Sequence, residues 1–128
     1  MSTVITFGTF DVFHIGHLRL LERAKNEGQR LIVGVSSDEL NYKKKQRNPV
    51  YNQNSRMAII AALECVDSVF LEESLELKAQ YIQDHGAHIL CMGDDWAGKF
   101  DHMPCVVKYF ERTPSISTTQ IIETIKSI

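Results

Sequence analysis

Two histidines with a glycine between them stand near the start of the chain, in Gly8-Thr9-Phe10-Asp11-Val12-Phe13-His14-Ile15-Gly16-His17. The stretch follows the apolar run Val4-Ile5-Thr6-Phe7 and leads into Leu18-Arg19-Leu20-Leu21-Glu22-Arg23-Ala24-Lys25, which has helical spacing. A β-branched run, a glycine-bearing bend and a helix in succession deliver polar groups to the carboxyl end of a parallel strand in α/β proteins. Imidazoles three residues apart at a helix start share one face, so both can donate hydrogen bonds to the same group. Gly16 puts no side chain between a ligand and the backbone, and the helix start adds free N–H groups and the positive end of its dipole. Together these make an anion site, and phosphate suits it best. A second reading of the same spacing is a metal site, with Asp11, His14 and His17 as ligands at successive i, i+3 steps. The intervening glycine favours phosphate.

Three more polar clusters follow strand-like runs. After Leu31-Ile32-Val33-Gly34-Val35 and the capping stretch Ser36-Ser37-Asp38-Glu39, residues 41–54 lose apolar periodicity and carry Lys43-Lys44-Lys45-Gln46-Arg47, which reads as a basic loop. Helical spacing resumes over Ser55–Glu64, with Arg56 in its first turn. Val66–Leu71 reads as a third strand, Leu75–His85 as a helix closed by Gly86, and His88–Met92 as a fourth strand ending in Gly93-Asp94-Asp95-Trp96. One aspartate there can accept hydrogen bonds from a ribose or base while Trp96 walls the pocket. Cys105–Phe110 reads as a fifth strand, followed by Arg112-Thr113-Pro114-Ser115-Ile116-Ser117-Thr118-Thr119 and a helix from about Thr118 to Lys126. Serine and threonine at that helix start both cap it and offer a phosphate site.

Strand and helix alternate throughout, which implies an α/β fold: a single Rossmann-like doubly wound domain over residues 1–128 with a five-stranded parallel sheet. In such a sheet all strand carboxyl ends lie on one side, so the four clusters should converge. A length of 128 residues supports a core but no separate substrate domain, so the site is expected at the sheet edge or shared with a second subunit. The net charge of −2 gives no electrostatic reason to expect nucleic-acid binding. No apolar run reaches the roughly 18–20 residues of a membrane span and no leader precedes the first strand, so a cytoplasmic location is expected. Cys65, Cys91 and Cys105 are odd in number and sit in apolar patterns, as buried, reduced structural thiols would.

Gly8-Thr9-Phe10-Asp11 with His14-Ile15-Gly16-His17 resembles the signature of the H-x-G-H nucleotidylyltransferase superfamily. Met92-Gly93-Asp94-Asp95-Trp96-Ala97-Gly98-Lys99-Phe100-Asp101 and Arg112-Thr113 with Ile116-Ser117-Thr118-Thr119 extend the similarity, over nearly the whole chain, to the glycerol-3-phosphate branch of its cytidylyltransferase family. The resemblance implies transfer of CMP from CTP to sn-glycerol 3-phosphate, giving CDP-glycerol and pyrophosphate for teichoic acid or capsular polymers. It implies catalytic roles for His14, His17, Lys44 and Arg112. It implies nucleotide contacts from Gly8, Thr9, Phe10, Asp11, Gly16, Gly93, Asp94, Arg112, Ile116, Ser117 and Thr118, and acceptor contacts from Lys44, Arg56 and Asp11. Mg²⁺ is expected with the triphosphate rather than at a protein metal site, and a homodimer is expected. The family pattern has Glu-Gly where this chain has Pro114-Ser115, and proline fixes φ and removes a donor there. Alternatives are another small phosphate or phosphonate acceptor, and a nucleotide-binding regulatory module without turnover.

Overall fold

Five short apolar or β-branched runs become the strands Thr3–Gly8 (β1), Arg30–Ser36 (β2), Ser68–Glu72 (β3), Ile89–Gly93 (β4) and Val106–Phe110 (β5). In the computed structural model, which describes residues 2–114 and 116–128, they form one parallel sheet in the order β3-β2-β1-β4-β5. Ser115, half of the expected departure in the phosphate loop, lies outside the described residues. β1 is central: Val4 pairs with Leu31 on one side and Ile89 on the other, and Val4 and Ile5 are fully buried.

Alternate residues of the strands feed two apolar layers, because successive side chains of a strand point to opposite faces. Val4, Leu31, Val33 and Val35 pack with Leu21 and Ala24 of α1 (Ile15–Lys25) and with Ile60 of α3 (Gln53–Ala61). Ile5, Phe7, Ile32, Leu90 and Met92 pack on the other side with Ile82 of α4 (Lys78–Asp84). A glycine interrupts β2 for a packing reason. A Cβ on Gly34 would lie 2.6 Å from the Phe7 ring and 2.8 Å from that of Phe70, rings that cross edge to face with centroids 5.8 Å apart. Of the three thiols only Cys91 is fully buried, Cys65 and Cys105 being half-buried, and all are free.

The three lysines of the basic run are not in a loop: they form the last turn of α2 (Asp38–Lys45), while Gln46 and Arg47 open an irregular segment that shrinks to residues 46–52. Sequence periodicity misses this helix because only Leu40 and Asn41 are buried in it. Its supports are polar: Ser37 caps its start, Asn41 Nδ2 donates to the Ser36 and Ser37 carbonyls, and Gln46 ends it in the left-handed region at φ 60°. The next helix, α3, starts two residues earlier than its apolar spacing suggests, capped by Asn52. The last, α5 (Thr118–Lys126), is capped by Ser117.

β1 is followed in the sheet by β2 on one side and by β4 on the other. Strand order therefore reverses beside β1, and the loops after β1 and β4 diverge to leave a crevice at the carboxyl edge.

Candidate active site

A cleft of about 840 Å³ occupies that crevice, and the segments that follow β1, β2, β4 and β5 all line it, as the parallel sheet requires. Its centre is the pair of imidazoles. His14 is the N-cap of α1, with extended backbone at φ −140° and ψ 177°, and its Nδ1 accepts the Gly16 N–H at 3.0 Å. The His17 Nδ1 accepts the His14 N–H at 3.1 Å. This is a capping box in which both side-chain acceptors are ring nitrogens. The rings stack with centroids 3.8 Å apart.

Two consequences follow for charge. With each Nδ1 held as an acceptor, the proton of each neutral ring sits on Nε2, which is left as a donor. The rings are also kept neutral. Burial, then the neighbouring His14, push His17 down to about 4, with Asp11 opposing weakly. Burial and the Arg112 guanidinium lower His14 in the same sense. The pair is thus a double neutral N–H donor at neutral pH. Gly16 serves it sterically, since a Cβ there would lie 2.8 Å from Cε1 of His14 and 3.3 Å from Ile116.

The bend before the histidines is strained and strapped. Phe10 and Val12 have φ of 56° and 47°, a region that costs a β-branched residue about 1–3 kcal/mol. Asp11 holds it: its carboxylate accepts the N–H groups of Val50 at 2.7 Å, Tyr51 at 2.9 Å and Val12 at 3.1 Å. Its carbonyl accepts the Thr118 hydroxyl at 2.8 Å, tying the start of α5 to the bend. Thr9 donates to Asn41, and the Phe10 ring meets His17 edge to face.

Arg56 does not reach the cleft. It is fully buried, and its guanidinium donates to the carbonyls of Tyr51, Thr9 and Ser36 and to Asp38 Oδ1 at 2.6 Å. A sequence argument sees a cation in a first turn but not which way it points. Asp94 stands exposed in the single turn Asp94–Trp96 after β4, while its neighbour Asp95 lines the cleft and lies 3.7 Å from Arg112. Gly8, Thr9, Phe10, Asp11, Gly16, Lys44, Gly93, Trp96, Arg112, Ile116, Ser117 and Thr118 all line the cleft. The Asp11–His14–His17 metal reading fails on geometry, because Asp11 is spent on three backbone donors and both Nδ1 atoms are occupied. Among the described residues no three His, Cys, Asp or Glu converge.

Sequence reasoning passed over one pair. Glu72 ends β3 and Lys78 begins α4, and both are almost fully buried at the edge of the cleft with Nζ and Oε2 2.7 Å apart. Glu72 also accepts the Ser36 hydroxyl at 3.1 Å. The Lys78 ammonium sits 3.8 Å from the centre of the Phe7 ring. Burial lowers both Lys78 and Lys44, and Glu72 pulls each back up. The rule that located the other clusters, polar residues just after a strand, would have located Glu72 as well.

The cleft presents hydrogen-bond donors and cations at the switch point of a Rossmann-like sheet, and the chain belongs to the cytidylyltransferase-like family, whose model matches residues 5–124. Over its full length the chain is 46% identical to a glycerol-3-phosphate cytidylyltransferase of Bacillus spizizenii, all of which is covered. It is 38% identical to that of Staphylococcus aureus over 94% of this chain and 92% of the relative. Among solved structures it superposes with a TM-score of 0.71 on the lipopolysaccharide core biosynthesis protein of Thermoplasma volcanium, at 25% identity, covering 88% of this chain and 97% of that one.

Proposed function

We propose that the protein transfers the cytidylyl group of CTP to sn-glycerol 3-phosphate, forming CDP-glycerol and pyrophosphate. The observation that carries the reaction type is the pair of stacked neutral imidazoles, each fixed by a backbone N–H so that its Nε2–H is free for a phosphate oxygen. The full-length relatives supply the acceptor, and they do not favour a regulatory module without turnover.

In the reaction, an oxygen of the acceptor phosphate attacks the α-phosphorus in line. The new P–O bond forms as the bond to the bridging oxygen of the β-phosphate breaks, and pyrophosphate leaves with the electron pair. A phosphate monoester is already ionised at neutral pH, so no side-chain nucleophile is needed. His14 and His17 donate to the charge that builds on the α-phosphate oxygens. Arg112 and the N–H groups at the start of α5, near Ser117 and Thr118, hold the β- and γ-phosphates. Lys44 holds the acceptor phosphate. Gly93 lines the cleft at the nucleoside end, with Asp94 in the exposed turn beside it, while Asp11 and Arg56 act indirectly, by fixing the bend and the 46–52 segment.

The donor set suits Mg²⁺ carried by the triphosphate, because no protein cage of carboxylates is formed among the described residues. Asp95, exposed in the cleft lining 3.7 Å from Arg112, would be available to the ion's water shell. The ion would supply charge neutralisation on the triphosphate. A homodimer and a cytoplasmic location complete the reading, and no helix among the described residues is long and apolar enough to cross a membrane. CDP-glycerol would serve as the activated donor for a glycerol-phosphate polymer.

The test is pyrophosphate release with Mg²⁺, comparing CTP with ATP and sn-glycerol 3-phosphate with phosphocholine, phosphoethanolamine and ribitol 5-phosphate. Turnover confined to CTP and glycerol 3-phosphate supports the assignment. Turnover with a different acceptor overturns the acceptor, and none with any pair overturns the reaction.

A further inference from the structure

We infer that the protein carries a second anion site on the outer side of Arg112, formed with Arg19 and Arg23 of α1, which receives inorganic pyrophosphate as it leaves the cleft. The inference rests on the cytidylyl-transfer reading for the identity of the anion, and adds a binding site beyond the cleft together with the path by which the product departs.

A second depression, of about 420 Å³, lies between α1 and the segment that follows β5, lined by Ile15, Arg19 and Arg23 on one side and by residues 111–114 on the other. Arg19 lines this depression and not the cleft, whereas Arg23 and Arg112 line both. Arg19 and Arg23 stand four residues apart on α1, which makes them neighbours one turn apart on the same face. Two cations at that spacing repel each other, and among the described residues neither forms an ion pair with a carboxylate. Arg23 is nevertheless held in place. Its guanidinium carbon lies 4.5 Å from the centre of the Phe110 ring, and its Nη1 donates to the Glu111 carbonyl at 3.0 Å. Those contacts fix the plane of the fork and leave most of its N–H donors unused. Arg112 is held only loosely, 3.7 Å from Asp95. The one carboxylate in the lining, that of Glu111, is outnumbered, so the depression gathers an excess of positive charge on a chain whose net charge is −2.

Guanidinium forks bind a multiply charged oxyanion through paired hydrogen bonds, and three of them share this hollow. The reaction supplies such an ion. Pyrophosphate must part from Arg112 after each turnover, and Arg112 is the wall common to the cleft and the depression. The leaving ion therefore exchanges one set of donors for another before it meets bulk water. Because Arg19 does not line the cleft that takes CTP, the site is expected to distinguish the free ion from the nucleotide.

The test is Arg19→Gln, a change at an exposed helical position between residues of similar helix propensity. Wild-type and variant protein are titrated calorimetrically with inorganic pyrophosphate and, separately, with CTP. The Kd for pyrophosphate should rise by at least about fivefold in the variant, as one charge-assisted contact is lost, while that for CTP stays within about twofold. The product-inhibition constant of pyrophosphate should rise by the same factor, with kcat/KM for CTP and for glycerol 3-phosphate unchanged. Arg19→Lys, which keeps the charge and loses the paired donors, should fall between the two, and it carries the test if the glutamine variant does not fold. Long-range attraction alone would weaken pyrophosphate and CTP alike. Equal changes for the two ligands, or no change for either, overturn the proposal. A wild-type protein without CDP-glycerol activity overturns the reading of function instead, and the two titrations, which need no turnover, still decide whether the outer site takes pyrophosphate.

Discussion

Gly16→Ala is the substitution whose two effects should separate most cleanly. Gly16 lies in the first turn of α1, where alanine is favoured over glycine by up to about 1 kcal/mol. Against that, the added Cβ would stand 2.8 Å from Cε1 and 3.0 Å from Nδ1 of His14. Restoring ordinary carbon contacts of about 3.5–4.0 Å moves the ring by roughly 0.7–1.2 Å and breaks its hydrogen bond from the Gly16 N–H. That loss of an N-cap costs about 1 kcal/mol. The two terms nearly cancel, so the melting temperature should shift by no more than about 5 °C. Turnover should behave differently. A displacement near 1 Å in a positioned catalytic group costs about a hundredfold, and the stacked His17 ring is carried along. The assay is kcat from pyrophosphate release at saturating CTP and glycerol 3-phosphate, alongside thermal unfolding of the same preparation. A folded Gly16→Ala protein with kcat within twofold of wild type would refute the claim that the imidazole geometry is set by this contact.

His14→Ala and His17→Ala should each lower kcat by at least about a hundredfold while changing the CTP dissociation constant far less, measured by single-turnover kinetics and equilibrium binding. Acid should destabilise the protein through His17: the unfolded chain takes up that proton below about pH 6.5, whereas the folded ring resists it until about pH 4. The stability this group contributes is complete above pH 6.5 and is lost as pH falls towards 4, by up to roughly 3 kcal/mol, so His17→Asn should flatten the melting temperature across that window. Arg56→Met should cost about 3–5 kcal/mol, a drop of roughly 10–20 °C in melting temperature, because Asp38 and three carbonyls lose their donor. A variant that melts like wild type but has a raised KM for glycerol 3-phosphate would return Arg56 to direct acceptor contact.

The sheet was legible because each strand announces itself as an apolar run, and the rule that parallel strands end on one side then gathers the clusters without knowledge of strand order. Less legible was anything held by polar contacts. α2 has two buried residues and three lysines at its end, so no periodicity marks it, and what stabilises it is Ser37, Asn41 and the left-handed Gln46. The sequence also cannot say which way a polar side chain turns. Asp11 and Arg56 belong to the same neighbourhood as His14 and Lys44, yet the first two are spent on backbone groups and the last two face the cleft.

That division explains how the cleft presents mostly donors and cations although the chain carries a net charge of −2. The acidic groups nearest the phosphate path are occupied: Asp11 by three N–H groups, Asp38 by Arg56, and Glu72 by Lys78 and Ser36. What remains to meet a ligand is almost entirely donor or cation, namely the two Nε2–H groups, Lys44, Arg112 and the start of α5. Neutral imidazoles suit this setting better than imidazolium would. A neutral ring donates to a phosphate oxygen without needing a countercharge when the cleft is empty, and burial against Phe10 and Phe13 therefore costs it little. Protonation would reverse that balance in the free protein. The depressed affinity of His17 for a proton is thus the electrostatic form of the same packing that holds the ring in place.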